Sequence, residues 1–350
     1  MMVSVLCSRC VLPASFPNIS FDGDGVCCFC ARPETARQNE FDTRQRQEFE
    51  DIVGSNKGKF TYDAVCCYSG GKDSTYMLKM MVRDLGLNVL AFTLDNGFIT
   101  DQSKQNIVKV VDILAVDHLF FKPARAFMTQ MYREAVFGDL NQARGNYITR
   151  ISDICLSCIS VVNTHAARLA LSHRIPMIFA GFTPGQIPRA VIKNNHRFYR
   201  QTYHQHKGHW TARLGAHAAQ YLDLPEDPFE IYQMSPYLVF EKSEAFILAE
   251  IKDLGWIHPE KLDGCTSNCA LNVVGNMCHE KKYGFHPYAL ELSKLIRKGL
   301  LTRDEALRKL SLQVEEPALE QTLIQLGVSR RDLQTLEKRG TRACAESSAA

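Results

Sequence analysis

The chain predicts an α/β fold: a parallel sheet covered by helices on both faces, with a small metal ribbon before it and a helical lobe after it. Three observations carry this. Short apolar runs without period-two alternation recur between helix-like segments, as buried parallel strands do. The first of these runs breaks into a double-glycine turn, and two Cys-x2-Cys pairs crowd the N-terminus.

The ribbon comes first. Cys7 and Cys10, then Cys27 and Cys30, flank a loop rich in Pro, Asp and Gly, and two such knuckles deliver four thiolates to one tetrahedral zinc ion. Residues 1–33 are too few to build their own core, so metal closure supplies the folding free energy. Four thiolates leave no open coordination position, which makes this zinc structural. Cys28 is a spare that can swap with Cys27. Residues 34–60 are polar and charged and read as a connecting helix and loop.

From 61 to 215 a β-α alternation is expected. Strands fall at Asp63–Cys67, Asn88–Leu94, His118–Lys122 and Ile175–Ala180, with helices over Ser74–Asp84 and Asp101–Leu114. From 216 to 338 the pattern loses strands and becomes helical, with amphipathic segments at Glu291–Arg297 and Asp304–Leu312. The small, polar residues 339–350 are expected to be disordered.

Composition narrows the function. At 350 residues and 45% hydrophobic content the chain can bury one substantial domain and one or two smaller ones. A net charge of +3, from 41 basic and 38 acidic residues, lacks the overall signature of a nucleic-acid binder. The basic, aromatic stretch His196–Trp210 is weighed as a base-stacking surface against a solvated loop over the core, and the loop is preferred. No apolar stretch approaches about 20 residues and no export signal is read, so no membrane partner and a cytoplasmic location are expected. In that compartment thirteen cysteines point to metal or sulfur chemistry rather than disulfides.

The chemistry concentrates in Ser69-Gly70-Gly71-Lys72-Asp73-Ser74, directly behind the apolar run Ala64–Tyr68. Glycines take positive φ without steric cost, and the amides so exposed, with the N-terminus of the next helix, form an anion cradle. Lys72 neutralises phosphate charge, while Ser69, Asp73 and Ser74 offer oxygens to phosphate and Mg2+. The spacing fits neither the Walker pattern nor the dinucleotide fingerprint. Nucleotides bind at the carboxyl ends of parallel strands, so Asp95, after the second strand, is a candidate ribose ligand, with ordinary turn chemistry as the even alternative. Gly181, closing the fourth strand, is a candidate nucleotide or substrate position.

Cys155-x2-Cys158 and the pair Cys265 and Cys269 form a second cysteine set. Cys155, Cys158 and one of Cys265 or Cys269 would bind a [4Fe-4S] cluster with one iron open to sulfide; a closed zinc site and unrelated core cysteines are the alternatives.

The loop resembles the S-G-G-x-D-S signature of the PP-loop ATP pyrophosphatase superfamily, which implies an adenine nucleotide alpha hydrolase-like domain that splits ATP into AMP and pyrophosphate. The N-terminal stretches Cys7–Pro13, Pro17–Asp22 and Gly25–Cys30 resemble the opening of the N-acetyl sugar amidotransferase family, which takes ammonia from a separate glutaminase. The second cysteine set departs from that family and looks like that of PP-loop thiolases. The expectation is therefore an enzyme that adenylates a carbonyl or amide oxygen and replaces it with sulfur. Lys72, Asp73, Cys155, Cys158 and Cys265 are its expected catalytic residues. The alternatives are amidotransfer with a partner glutaminase, and a non-catalytic zinc-ribbon adaptor that binds nucleotide or RNA. Acceptors in view are a sugar, a tRNA base or a small molecule; a sulfur-donor protein and a homodimer are the other partner classes.

Overall fold

A computed structural model describes residues 5–32, 36–141, 149–194 and 206–338. The expected tail 339–350 and most of the aromatic stretch, 196–205, lie outside the described residues.

Six strands form one sheet: β1 (Ala64–Cys67), β2 (Val89–Leu94), β3 (Asp117–Phe121), β4 (Met177–Phe179), β5 (Val191–Asn194) and β6 (Ile231–Met234), in the order β3-β2-β1-β4-β6-β5. All neighbours are parallel except β5 and β6. The first four strands fall where the apolar runs predict them. Two more strands were not expected: β5 falls inside the 61–215 region, and β6 corrects the expectation that strands end near residue 215, lying inside the sheet between β4 and β5. Unlike β1 and β4, each mixes polar with apolar residues and forms no continuous apolar run to mark it.

Successive side chains of β1 point to opposite faces. Ala64 and Cys66 join Val89, Ala91, Phe49, Met77, Met81 and Val110 in one core; Val65 joins Leu90, Phe92, Met131, Tyr132, Val161 and Ala167 in the other. The helices that supply these partners are α1 (Ala36–Asn56), α2 (Lys72–Lys79) with the π-helical turn Met80–Asp84 that continues it, α3 (Asp101–Leu114), α4 (Arg125–Phe137) and α5 (Asp153–Ser172). Against the expectation that no apolar stretch nears 20 residues, α5 is long and apolar enough to cross a membrane by length and composition. It is a core helix here, with Val161, Ala166, Ala167 and Ala170 buried on the sheet side.

Beyond the sheet follow α6 (Glu244–Glu250), α7 (Asn272–Tyr283), α8 (Ala289–Arg297), α9 (Arg303–Ser311) and α10 (Glu316–Leu326). The expected amphipathic segments are α8 and α9, the latter started by a reciprocal Thr302 and Glu305 capping box. The N-terminal ribbon packs onto them: Cys7, Cys10, Leu12 and Phe16 share a core with Phe285 and Ala289, and Val11 sits with Leu292 and Ala306. Arg303 seals the junction by donating to the carbonyls of Cys7 and Cys10.

The chain runs from β1 outward through β2 to β3, then returns to place β4 on the other side of β1. That reversal leaves a crevice above the carboxyl ends of β1 and β4, where ligands bind in open α/β sheets.

Candidate active site

A cavity of about 400 Å³ occupies this crevice. One wall is the turn after β1: Ser69, Gly71, Lys72, Asp73 and Ser74 all line it. Gly70 adopts φ +77 with its carbonyl accepting from the Trp256 indole; a Cβ there would stand 2.7 Å from the Ser103 carbonyl oxygen, so only glycine fits the turn. Gly71 caps α2 without a side chain. The turn is tied from within by Ser69 and Ser74, whose hydroxyls lie 3.0 Å apart. From outside, the Lys72 amide donates to Ser267 Oγ at 3.0 Å and Asn268 Nδ2 donates to the Ser69 carbonyl at 3.3 Å.

Lys72 Nζ reaches Asp73 at 2.8 Å and Glu244 at 3.4 Å. Burial opposes its charge, but the two carboxylates outweigh burial and hold the ammonium well above its usual range. Glu244 is pulled below the usual carboxylate range because Lys72 and Lys309 outweigh its own burial. Across the cavity, beyond β4, Thr183 Oγ1 and Gln186 Nε2 donate to the two oxygens of Glu291 at 2.6 and 2.8 Å. Burial pushes that carboxyl up to about 7. Gly181 lines the cavity beside the turn, where a Cβ would stand 3.9 Å from the Ser74 amide nitrogen.

Asp95 does not line the cavity. It is buried toward Lys104 and Lys122 at 3.6 and 3.7 Å, and its Oδ1 accepts from the Gly97 amide. The sequence position next to it, Asn96, faces the cavity instead.

The second cysteine set lines the other end. Cys155 and Cys158 sit in the first turns of α5, whose N-cap Ser152 accepts from the Cys155 amide. Cys269 is brought to them by an isolated antiparallel pairing of Ile99 with Cys269, backed by the Ala270 amide on the Phe98 carbonyl at 2.9 Å. Asn96 Nδ2 then donates to both Cys269 Sγ, 3.3 Å away, and Cys158 Sγ, 3.8 Å away. Cys265 lines the same cavity, where Asp263, Glu291, Lys309 and Lys72 act on it electrostatically and Tyr288 feels both it and Cys155. Burial raises Cys155 to about 12 and Cys269 to about 11, and raises Cys158 as well. Without metal these are neutral thiols at pH 7, so any metal they take displaces protons.

The N-terminal quartet differs in geometry. The sulfurs of Cys7, Cys10, Cys27 and Cys30 all lie within 4.8 Å of one another, with Cys10 and Cys27 at 3.7 Å. Thiolates about 2.3 Å from one tetrahedral ion stand about 3.8 Å apart. Burial opposes ionisation of Cys7, yet backbone amides outweigh it and bring the thiol down to about 6, while burial takes Cys30 up to about 11. Cys28 donates to the Asn18 carbonyl, outside the quartet. Among the described residues no other three ligating groups approach one another this closely.

Sequence reasoning missed Tyr132, Glu244, Ser267, Asn268 and Glu291, which sit in no motif and reach the cavity only through the fold; Asn96 belongs to the Asp95-Asn96-Gly97 turn expected to flank the nucleotide, in which Asp95 is the named candidate.

No family model matches the chain. An uncharacterized protein of Methanocaldococcus jannaschii is 24% identical over 305 residues, covering 87% of this chain and 92% of that protein. Among solved structures, NMN synthetase from Francisella tularensis aligns with a TM-score of 0.33 at 14% identity, over 84% of this chain and 95% of that one. The U34-tRNA thiolase NcsA from Methanococcus maripaludis, with its [4Fe-4S] cluster, aligns with a TM-score of 0.34 at 14% identity, over 90% and 91%. At such TM-scores no residue role passes from either protein to this chain.

Proposed function

We propose that this chain is an ATP-dependent transferase that adenylates a carbonyl or amide oxygen, releasing pyrophosphate, and then replaces that oxygen with sulfur. One observation carries the reading: the Ser69–Ser74 turn and the thiols of Cys155, Cys158 and Cys269 face a single cavity.

The turn supplies what a triphosphate needs: positive-φ backbone, the start of α2 and a buried cation. Lys72 acts on charge developing as pyrophosphate leaves, and Asp73 and Ser74 offer ligands for Mg2+. Glu244 keeps the ammonium aimed between ATP loop and α6. At the other end, Cys155, Cys158 and Cys269 would hold a [4Fe-4S] cluster, and the unpartnered hydroxyl of Tyr132 beside Cys158 fits such a group. Three protein thiolates would leave one iron open to an exogenous sulfur ligand, which is the chemistry such a group would supply. Glu291 is a proton acceptor near neutrality for the incoming nucleophile. The Cys7, Cys10, Cys27 and Cys30 quartet is a structural zinc site.

The test is protein prepared without oxygen, analysed for iron, acid-labile sulfide and zinc, then assayed for AMP and pyrophosphate with tRNA and small amides as acceptors. Iron with sulfide, and sulfide-dependent turnover, are expected. Zinc alone, with turnover stimulated by ammonium, would move the assignment to amidotransfer.

A further inference from the structure

Two buried polar side chains, Asn96 and Tyr132, pack around the sulfurs of the second cysteine set. We propose that Asn96 and Tyr132 are positioning residues that donate hydrogen bonds to the sulfurs of a three-thiolate iron-sulfur site, retaining it and raising its reduction potential. This rests on the cluster reading of Cys155, Cys158 and Cys269.

The Asn96 amide has one possible orientation. Its Oδ1 accepts from the Phe98 amide at 2.8 Å, closing an Asx turn after β2, which leaves Nδ2 as the end facing Cys158 and Cys269. The side chain is 8% exposed, so these sulfurs replace water as its partners. The Ile99 and Cys269 pairing fixes the loop that carries Cys269 against the loop that carries Asn96. Donor and ligand therefore move as one unit.

Tyr132 approaches from α4. Its ring is fully buried against Phe98 at 5.9 Å, edge to face. Its hydroxyl has no well-formed hydrogen bond, yet it interacts with the Cys158 sulfur. A buried hydroxyl without a partner costs about 1–3 kcal/mol, and a bound thiolate beside it removes that cost. Neutral donors to cluster sulfurs stabilise the more negative, reduced form, and outer hydrogen bonds of this kind hold ligands in place.

The experiment reconstitutes the full chain with ferrous iron and sulfide under argon, and measures iron content, midpoint potential by electron paramagnetic resonance, and the rate of bleaching by a chelator. Wild type is compared with Tyr132→Phe, which removes only the oxygen, and with Asn96→Asp, which keeps the acceptor of the Asx turn and removes the donor. Both variants are expected to load iron, with midpoint potentials below wild type and faster bleaching. Loaded variants indistinguishable from wild type in potential and bleaching would overturn the assignment while leaving the cluster reading standing. A wild type that takes up neither iron nor sulfide would overturn both. If Asn96→Asp does not fold, Tyr132→Phe alone decides.

Discussion

Glu291 keeps its proton up to about pH 7 in the native protein because burial penalises the carboxylate more than Thr183 and Gln186 stabilise it. The unfolded chain releases that proton near the ordinary glutamate value, so the native state binds more protons between these two points. Stability contributed here is highest in acid and falls as pH rises through 7. The cost at pH 8 is on the order of 3 kcal/mol. Glu291→Gln is therefore expected to raise the thermal midpoint by several degrees at pH 8 and leave it nearly unchanged at pH 5, read by calorimetry at both values. Equal shifts at the two pH values would show an ionised native carboxylate. Lys72 sits on the other side of the ledger. Its charge is held by Asp73 and Glu244, and Glu244 retains Lys309 at 2.9 Å when Lys72 is gone. Lys72→Ala should lower pyrophosphate release by roughly a hundredfold or more with little change in thermal midpoint; undiminished release would remove Lys72 from the nucleotide site.

The turn between β1 and α2 shows what an element-level signal contains and what it omits. Six residues behind an apolar run made the strand, the turn and the helix readable, because glycine conformation and burial are both local. Its supports were not readable: Trp256, Ser267 and Asn268 lie almost two hundred residues away and carry no periodicity. Likewise the spacing of Cys265 and Cys269 gave no ground for choosing between them, since both fall in one loop. The Ile99 pairing, invisible in the sequence, brings Cys269 to Asn96, while Cys265 lines the same cavity. Asp95 follows the turn alternative: its carboxylate accepts from the Gly97 amide and faces Lys104 and Lys122, while its neighbour Asn96 lines the cavity, as adjacent residues in an extended stretch face opposite ways. Gly70→Ala tests the turn itself. A methyl group would meet both a strained φ of +77 and the Ser103 carbonyl, and an unfolding free energy lower by about 1–3 kcal/mol is expected in denaturant titration.

At the scale of the molecule, the ribbon and the helices beneath it behave as one body. Cys7 and Cys10 contribute both metal-binding sulfurs and the carbonyls that receive Arg303, while Phe285 and Ala289 complete the ribbon's core. Chelating the quartet's metal should therefore raise amide hydrogen exchange in 285–311 as well as in 5–32, with β1, β2 and β4 still protected. Exchange confined to 5–32 would show that the ribbon is only appended. The parallel sheet was legible where its strands are continuously apolar, as in β1, β2 and β4; β5 (VIKN) and β6 (IYQM) carry polar residues and gave no such run. The clamp on the phosphate turn has a further consequence for how the protein comes into being. A ribosome-bound chain that stops short of Ser267 already displays every residue of the glycine turn, but the Lys72 amide has no hydroxyl to meet and the Ser69 carbonyl no amide. The turn's full set of supports thus forms late in translation, when the last quarter of the polypeptide folds back over β1.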